Sequence, residues 1–427
     1  MHLFETIRGG RWAGTIARLR DLNRRRWLAG WLVLLAVAAG RGRAQDTNNP
    51  GLAGSVAEDG RLAAVCPIQV TRESSGNFTI TNHFQFTDTK DCTFTWQLRQ
   101  YGLPTETNPA VTVLREGMLG SPAIPPGGSG LLEADPAADS PTADALALRV
   151  NDPAGHELWT WVWTLTHDDS ARLPEDTTAW NHALPQATND EIQVVAGDLM
   201  VTFSPATGRL LRVARGGQTY SLTNGPQLTA TNSHLREIHF TDDGPDAVVS
   251  AKFDGELKSI VWRVNGNGWV DCDYDYITAS GQDLAGVTFD YPAGLVRHWR
   301  WLGDGPYRAS PNQNYGAVFG RYESDGNPVR TGGPAGGRSE FTGRLAGVRW
   351  LQLETVEGPI TILNRSHMPW LQAPVPTRGT AEAGEITPGL AFWDSQSAAI
   401  PVKPPGQTGE DHQNHSGQVS FFFGKSP

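Results

Sequence analysis

Aromatic, amide and guanidinium groups crowd into one stretch of this chain, from His298 to Tyr315. Its first half reads His298-Trp299-Arg300-Trp301-Leu302-Gly303-Asp304-Gly305-Pro306-Tyr307-Arg308, and Asn312, Asn314 and Tyr315 follow. Aromatic faces stack on the apolar faces of pyranose rings, and amides and guanidinium groups hydrogen-bond to hydroxyls. Trp301, Tyr307, Arg308, Asn312, Asn314 and Tyr315 are of these types. The local backbone fits such a display. Gly303 and Gly305 can take positive φ, and Pro306 fixes its own φ and drives Gly305 out of the α region. A strand through Arg300-Trp301-Leu302 is thus expected to break sharply there.

Bond-breaking chemistry needs other groups. Retaining glycoside hydrolysis uses two carboxylic acids about 5 Å apart, and aldose mutarotation uses a glutamate base and a histidine acid facing one pocket. His298, His367, His412, His415 and Glu357 are of the right types for the second, but nothing in their spacing brings a pair together. Asp411, His412 and His415 read as a solvated loop rather than a metal site, and three scattered cysteines make no zinc motif. No cofactor or metal is expected. In an exported protein Cys66 and Cys92 could form a disulfide and leave Cys272 free, although sequence does not establish the pairing.

The positioning scaffold is read from composition and period. Gly 48, Pro 29 and Trp 15 in 427 residues indicate many turns and few helical runs, so the expected class is all-β. A formal charge of −10 argues against nucleic-acid binding, since a phosphate backbone wants a basic face. Residues 1–44 read as an export signal. Five arginines between Arg18 and Arg26 precede the apolar run Trp27–Ala39, which is short for a bilayer span and is followed by small residues. The expected location is periplasmic or extracellular, with no stable membrane span after cleavage. Residues 45–65 read as a disordered arm. Residues 66–170 alternate with period 2, as in Phe94-Thr95-Trp96-Gln97-Leu98 and Trp159-Thr160-Trp161-Val162-Trp163, and suit an immunoglobulin-like β-sandwich. The Trp159, Trp161, Trp163 row is assigned to a buried face rather than to a sugar-stacking ladder. Residues 171–188 read as a linker. Residues 189–427 read as one large β-domain, with strands at Leu199–Phe203, Ala247–Phe253, Ser259–Val264, Val270–Ile277, Val348–Leu353 and Gln418–Phe423.

Four motifs, in order along the chain, carry a resemblance. Trp301-Leu302-Gly303-Asp304-Gly305-Pro306 resembles the W-x-G-x-G-P signature in the last domain of family 2 glycoside hydrolases of the β-galactosidase type. Val201-Thr202-Phe203-Ser204-Pro205-Ala206-Thr207-Gly208-Arg209-Leu210 is similar to the hairpin that opens that domain, and Asn224-Gly225-Pro226-Gln227-Leu228 to its next turn. Ile80–Asp88 followed by Phe94–Leu98 resembles the penultimate, immunoglobulin-like domain.

The resemblance implies an immunoglobulin-like β-sandwich followed by a large two-sheet super-sandwich, the galactose-mutarotase-like architecture. It also implies what is missing. In those enzymes both catalytic glutamates sit on a (β/α)8 barrel of about 250 residues, and this chain has neither room for a barrel ahead of residue 66 nor the family's Asn-Glu dipeptide. No catalytic residue can be carried over. The expected function is thus a carbohydrate-binding or accessory protein for galactosides or plant-type oligosaccharides. The alternatives are the small subunit of a split β-galactosidase that needs a barrel-bearing partner, a truncated remnant, or a mutarotase-like epimerase. On this reading Trp301→Ala weakens sugar binding. The resemblance makes Trp301, Tyr307, Arg308, Asn312, Asn314 and Tyr315, in or after the signature, the candidate carbohydrate-binding residues, and adds Trp393, which lies near the place where some relatives carry a substrate-adjacent tryptophan. The residues that follow the signature depart from the family, with Asn312-Gln313 where an Asn-Arg or Asp-Arg pair is usual.

Overall fold

The structure is a computed structural model that describes residues 45–46, 66–104, 111–134, 136–137, 142–165, 182–228, 233–279, 285–305, 309–310, 313–314, 318–325, 344–365, 370–372, 388–394 and 412–424. Among these residues there is no α-helix, only antiparallel strands and two short 3-10 turns at Thr89–Asp91 and Ala293–Leu295. The leader lies outside the described residues. Among those described, no helix is long and apolar enough to cross a membrane.

Two sheets near the N-terminal end form the immunoglobulin-like module. One pairs Ile68–Arg72, Phe78–Asn82 and Ser129–Leu132; the other orders Thr112–Leu119, Thr93–Gln100, Ala145–Asn151 and Glu157–Thr164. Successive strand residues point to opposite faces, so Phe94 and Leu98 meet Leu146, Leu148 and Val150 in a dry core with Ile68, Phe78 and Ile80. Trp159, Trp161 and Trp163 pack half-buried onto that core, with Phe78 and Trp163 ring centroids 5.4 Å apart. They face inward, as the alternation predicts. Cys66 and Cys92 are both buried in the same core and both are free thiols; burial pushes the Cys92 thiol up to about 11 and raises Cys66 as well.

The rest of the described chain builds a larger stack. A ten-stranded sheet orders Gln45–Asp46, Val318–Asp325, Val296–Gly305, Trp350–Thr355, Gly358–Asn364, His412–Phe423, Trp269–Ala279, Leu257–Val264, Asp246–Asp254 and His234–Asp243. Two five-stranded sheets share its core. One runs Gln218–Tyr220, Leu210–Arg215, Leu199–Phe203, Ile192–Ala196, Leu184–Ala187, and the other runs Thr223–Leu228, Ala285–Asp290, Pro388–Asp394, Trp370–Gln372, Arg344–Ala346. Aromatic contacts tie the three together. Trp262 of the large sheet meets Phe203 at 5.4 Å and Phe289 at 6.2 Å, and Phe289 meets Phe421 at 5.3 Å. Two segments differ from their sequence reading. The arm supplies Gln45–Asp46, paired with Glu323 and Tyr322, and the segment read as linker supplies Leu184–Ala187, paired with Ile192–Val195. An edge strand tolerates Pro185 because one side of its backbone has no partner to lose.

Glycines are placed where side chains need the space. Gly417 stands opposite Tyr274, and a Cβ there would lie 2.3 Å from the phenol ring. Gly208, at φ +68, closes the Ser204–Arg209 hairpin, where Ser204 Oγ accepts from Thr207 N at 3.1 Å. That hairpin is the one the sequence motif indicated.

The immunoglobulin-like module docks on the outer face of the ten-stranded sheet. Tyr101 and Ala145 from the module meet Trp269, Leu302, Phe319, Trp350, Leu363 and Phe422 from the sheet in one dry cluster, with Val111 and Val162 at its margin. Among the described residues the pair Arg349–Asp144 crosses this junction. Arg349 donates to Asp144 Oδ1 at 3.2 Å, to the Asp144 carbonyl at 3.4 Å and to the Leu165 carbonyl at 2.5 Å. The other carboxylate oxygen accepts from Tyr101 N, and the Arg349 guanidinium lies over the Phe319 ring at 5.5 Å. Asp144 is 1% exposed, so its charge depends on these donors. Asp144→Ala breaks the buried pair by removing one partner and is expected to cost about 3–5 kcal/mol, read as a lower urea midpoint. Asp144→Asn, which keeps one acceptor oxygen, is expected to cost less. An unchanged midpoint for Asp144→Ala would show that the clamp does not hold the modules together.

Candidate functional site

The stretch that the sequence singled out is divided by the fold. Trp301 lies mid-strand in Val296–Gly305, on the same face as Trp299, and both join the interior between the sheets. Trp301 is 2% exposed, packs on Tyr322 at 5.5 Å, and donates from Nε1 to the Asp304 carbonyl at 3.4 Å. The expectation of a solvent-facing, sugar-stacking Trp301 is therefore corrected. Strand alternation turns it into the core, and the arginine and leucine beside it take the outer face. Tyr307, Arg308, Asn312 and Tyr315 lie outside the described residues. Asn314 pairs in a two-stranded ribbon with Ala309, and Trp393 pairs with Gly286 and Trp370, but their side chains are outside what is described.

The nominal epimerase residues that are described each engage another partner. Glu357 accepts from Ser221 N at 2.9 Å, from Ser221 Oγ and from Tyr291 OH at 3.2 Å, bracing one sheet against another. His415 bonds Thr278 Oγ1 at 2.8 Å and stacks on Tyr276 at 4.9 Å, and His298 faces Glu323 at 3.8 Å. His367 and the His412 side chain lie outside the description. Among the described residues no group of three or more His, Cys, Asp or Glu side chains is placed to hold a metal.

A polar crevice lies instead on the outward face of the four-stranded immunoglobulin-like sheet. Its volume is about 240 Å³, and it is lined by Thr95, Gln97, Arg99, Val111, Val113, Glu116, Ala147, Arg149, Glu157 and Thr160. Alternation explains the set. With Phe94, Leu98, Leu146, Leu148 and Val150 committed to the core, Thr95, Gln97, Arg99, Ala147 and Arg149 must face the other way. The register then aligns them in rows. Arg149 lies between Thr95 on one side and Thr160 on the other, and Gln97 lies between Glu116 and Ala147.

Hydrogen bonds hold much of this face in place. Arg99 donates from Nε and Nη2 to Gln97 Oε1 at 3.2 and 2.9 Å, and Gln97 Nε2 donates to Glu116 Oε2 at 3.1 Å. Thr160 Oγ1 donates to Glu157 Oε1 at 2.6 Å. Arg149 is exposed in the middle of the sheet and takes no part in that relay. Two guanidinium groups and two carboxylates therefore share one concave face, with two valines on its flank. Such a face presents both donors and acceptors in planar, bidentate form. Sequence reasoning missed it because outward polar residues on a strand are the ordinary case; the signal available was the odd-numbered set Thr95, Gln97, Arg99 opposite the recognised core set.

The signature strand holds one further group of interest. Asp304 faces the docked side of the large sheet beside Phe319, and desolvation alone raises its carboxyl from 3.8 to about 6. A Cβ on Gly347 would lie 3.2 Å from its Oδ2, so the missing side chain leaves room for the carboxylate.

No protein-family model matches this chain, and no curated protein does. Solved structures similar to it include the protein HI1317, with TM-score 0.32 and 9% identity over 58% of this chain and 97% of that one. Galactose 1-epimerase from Lactobacillus acidophilus NCFM gives TM-score 0.31 and 10% identity over 58% and 99% of the two chains. A candidate mutarotase, YeaD from Salmonella typhimurium, gives 0.30 and 10% over 59% and 96%.

Two expectations follow. Trp301→Ala empties a core site and is expected to lower stability by about 3–5 kcal/mol, measured by chemical denaturation. A normal unfolding midpoint together with a specific loss of sugar binding would restore the surface reading. Asp304 binds its proton more tightly folded than unfolded, so its contribution to stability is full below pH 3.8 and is lost as pH rises through about 6. Asp304→Asn should flatten that decline and raise stability at pH 7 to 8 by on the order of 2 kcal/mol. A steeper decline in the variant would show that Asp304 is charged and paired.

Proposed function

We propose that this protein is an exported, non-catalytic carbohydrate-binding or accessory protein. The observation that carries the reading is the outward crevice of the immunoglobulin-like sheet, where Arg99, Gln97 and Glu116 form a fixed hydrogen-bonded relay beside an unengaged Arg149. Sugar hydroxyls are donors and acceptors at once, and adjacent hydroxyls match the spacing of a guanidinium or carboxylate edge. The four ordered motifs of the family 2 glycoside hydrolase type support the same class of ligand.

The two crevice carboxylates are poorly placed for hydrolysis. Glu116 and Glu157 start on the two edge strands of the sheet, with two strands between them. At roughly 4.8 Å per strand their backbones are at least about 14 Å apart, and they lie in different rows as well, Glu116 level with Ala147 and Glu157 with Asn151, whereas glycosidase carboxylates work at about 5 Å or about 6.5–9.5 Å. Each is also occupied by a neighbouring amide or hydroxyl. Binding without turnover is the chemistry this face supports.

The test is calorimetric titration of the purified protein with β-galactosides and plant-type oligosaccharides, alongside hydrolysis of a chromogenic β-galactoside by the same sample. Saturable binding without hydrolysis is expected. Turnover abolished by one carboxylate substitution would overturn the reading, and so would the absence of binding to every sugar tried.

A further inference from the structure

We infer that the crevice selects a neutral saccharide, taken one ring deep, and discriminates against acidic sugars, with Arg149 as the group that anchors the ring. This rests on the carbohydrate-binding reading above and specifies its ligand class. The charge census of the lining comes first. Arg99 and Arg149 are matched by Glu116 and Glu157, so the face is charged in its parts but balanced as a whole. A neutral polyol satisfies both signs without disturbing that balance. A uronate brings a third carboxylate onto a face that already holds two, in a chain whose formal charge is −10.

The hydrogen-bond relay then assigns the roles. Arg99 spends Nε and Nη2 on Gln97, and Gln97 spends its amide on Glu116, so these three are preorganised wall rather than free donors. Thr160 similarly engages one oxygen of Glu157 and leaves the other side of that carboxylate open to a hydroxyl proton. Arg149 lies in register between Thr95 and Thr160 on a central strand, where a ligand seated on Ala147 would meet its guanidinium edge. An adjacent pair of hydroxyls can accept from that edge and donate to Glu157. Ala147, 2% exposed, leaves the floor of the crevice low, while Val113 lies in the row of Arg99 and Ala145, at the other end of the crevice from Glu157. At about 240 Å³ the space suits one ring, with any further residues of the chain in solvent.

A matched pair of probes tests this. Methyl β-galactopyranoside and the corresponding methyl galacturonide differ only in whether C6 is a hydroxymethyl or a carboxylate. Both are titrated into the full protein and into Arg149→Ala, Glu157→Gln and Glu116→Gln, with thermal unfolding confirming that each variant is folded. The neutral ligand is expected to bind about tenfold or more tightly than the uronide, and Arg149→Ala to weaken it about tenfold or more. Glu157→Gln is expected to narrow the gap between the two ligands. Equal or tighter binding of the uronide would overturn the charge selectivity while leaving the carbohydrate reading in place. Neutral binding unchanged in Arg149→Ala would move the site off this face and overturn the inference. Failure of both probes and of every other sugar would remove the carbohydrate reading itself.

Discussion

The two-module arrangement depends on a carboxylate that water does not reach. Asp144 is 1% exposed at the end of the immunoglobulin-like sheet, and an isolated charge there would cost several kcal/mol. Arg349 reaches across from the large sheet with two of its nitrogens, and Tyr101 N donates from within the module. The pair is expensive to desolvate and yields little net stability by itself. What it imposes is registry, because only one docking of the modules satisfies every donor and acceptor involved. The apolar cluster of Trp269, Leu302, Phe319, Trp350 and Phe422 supplies the non-directional part of the adhesion.

The same clamp is tied by backbone to the strands that carry the crevice. Asp144 N donates to the Arg99 carbonyl and the Asp144 carbonyl accepts from Leu165 N, so the end of the strand that carries Gln97 and Arg99 is tied to the junction through backbone bonds. The outward face of the sheet is divided. Near the junction Ala145 and Val162 are covered by the larger module, and beyond it Thr95, Arg149 and Thr160 are left open. The residues that line the crevice all belong to the immunoglobulin-like module, so its walls are that module's own side chains.

Much of the fold was legible from period 2 alone. Leu199–Phe203 was read to its ends, and the strands around Ala247, Ser259 and Val270 were read within two residues, because each alternates over a face that is buried on one side only. Leu184–Ala187 was missed because an edge strand containing proline lacks that alternation. The site was less legible. Trp301 reads as exposed when the turn beside it is weighed, yet Trp299 and Trp301 share a parity, and that parity is the interior one. The crevice is assembled from four strands, with lining residues from Thr95 to Thr160, and only the register brings Thr95, Arg149 and Thr160 into one row. Register depends on turn geometry and cross-strand fit, which single-strand patterns do not contain.

Asp304 and Asp144 make the final contrast. Both are carboxylates desolvated on the outer side of the large sheet, within reach of the Phe319 neighbourhood. Asp144 is answered by an arginine and a backbone amide, while desolvation alone sets the behaviour of Asp304. The carboxylate at the junction is thus held by donors from both modules, and the one at the end of the signature strand is acted on by desolvation alone. The physical distinction is between a charge that its partners keep in place and a carboxyl whose contribution to stability falls as Asp304 loses its proton.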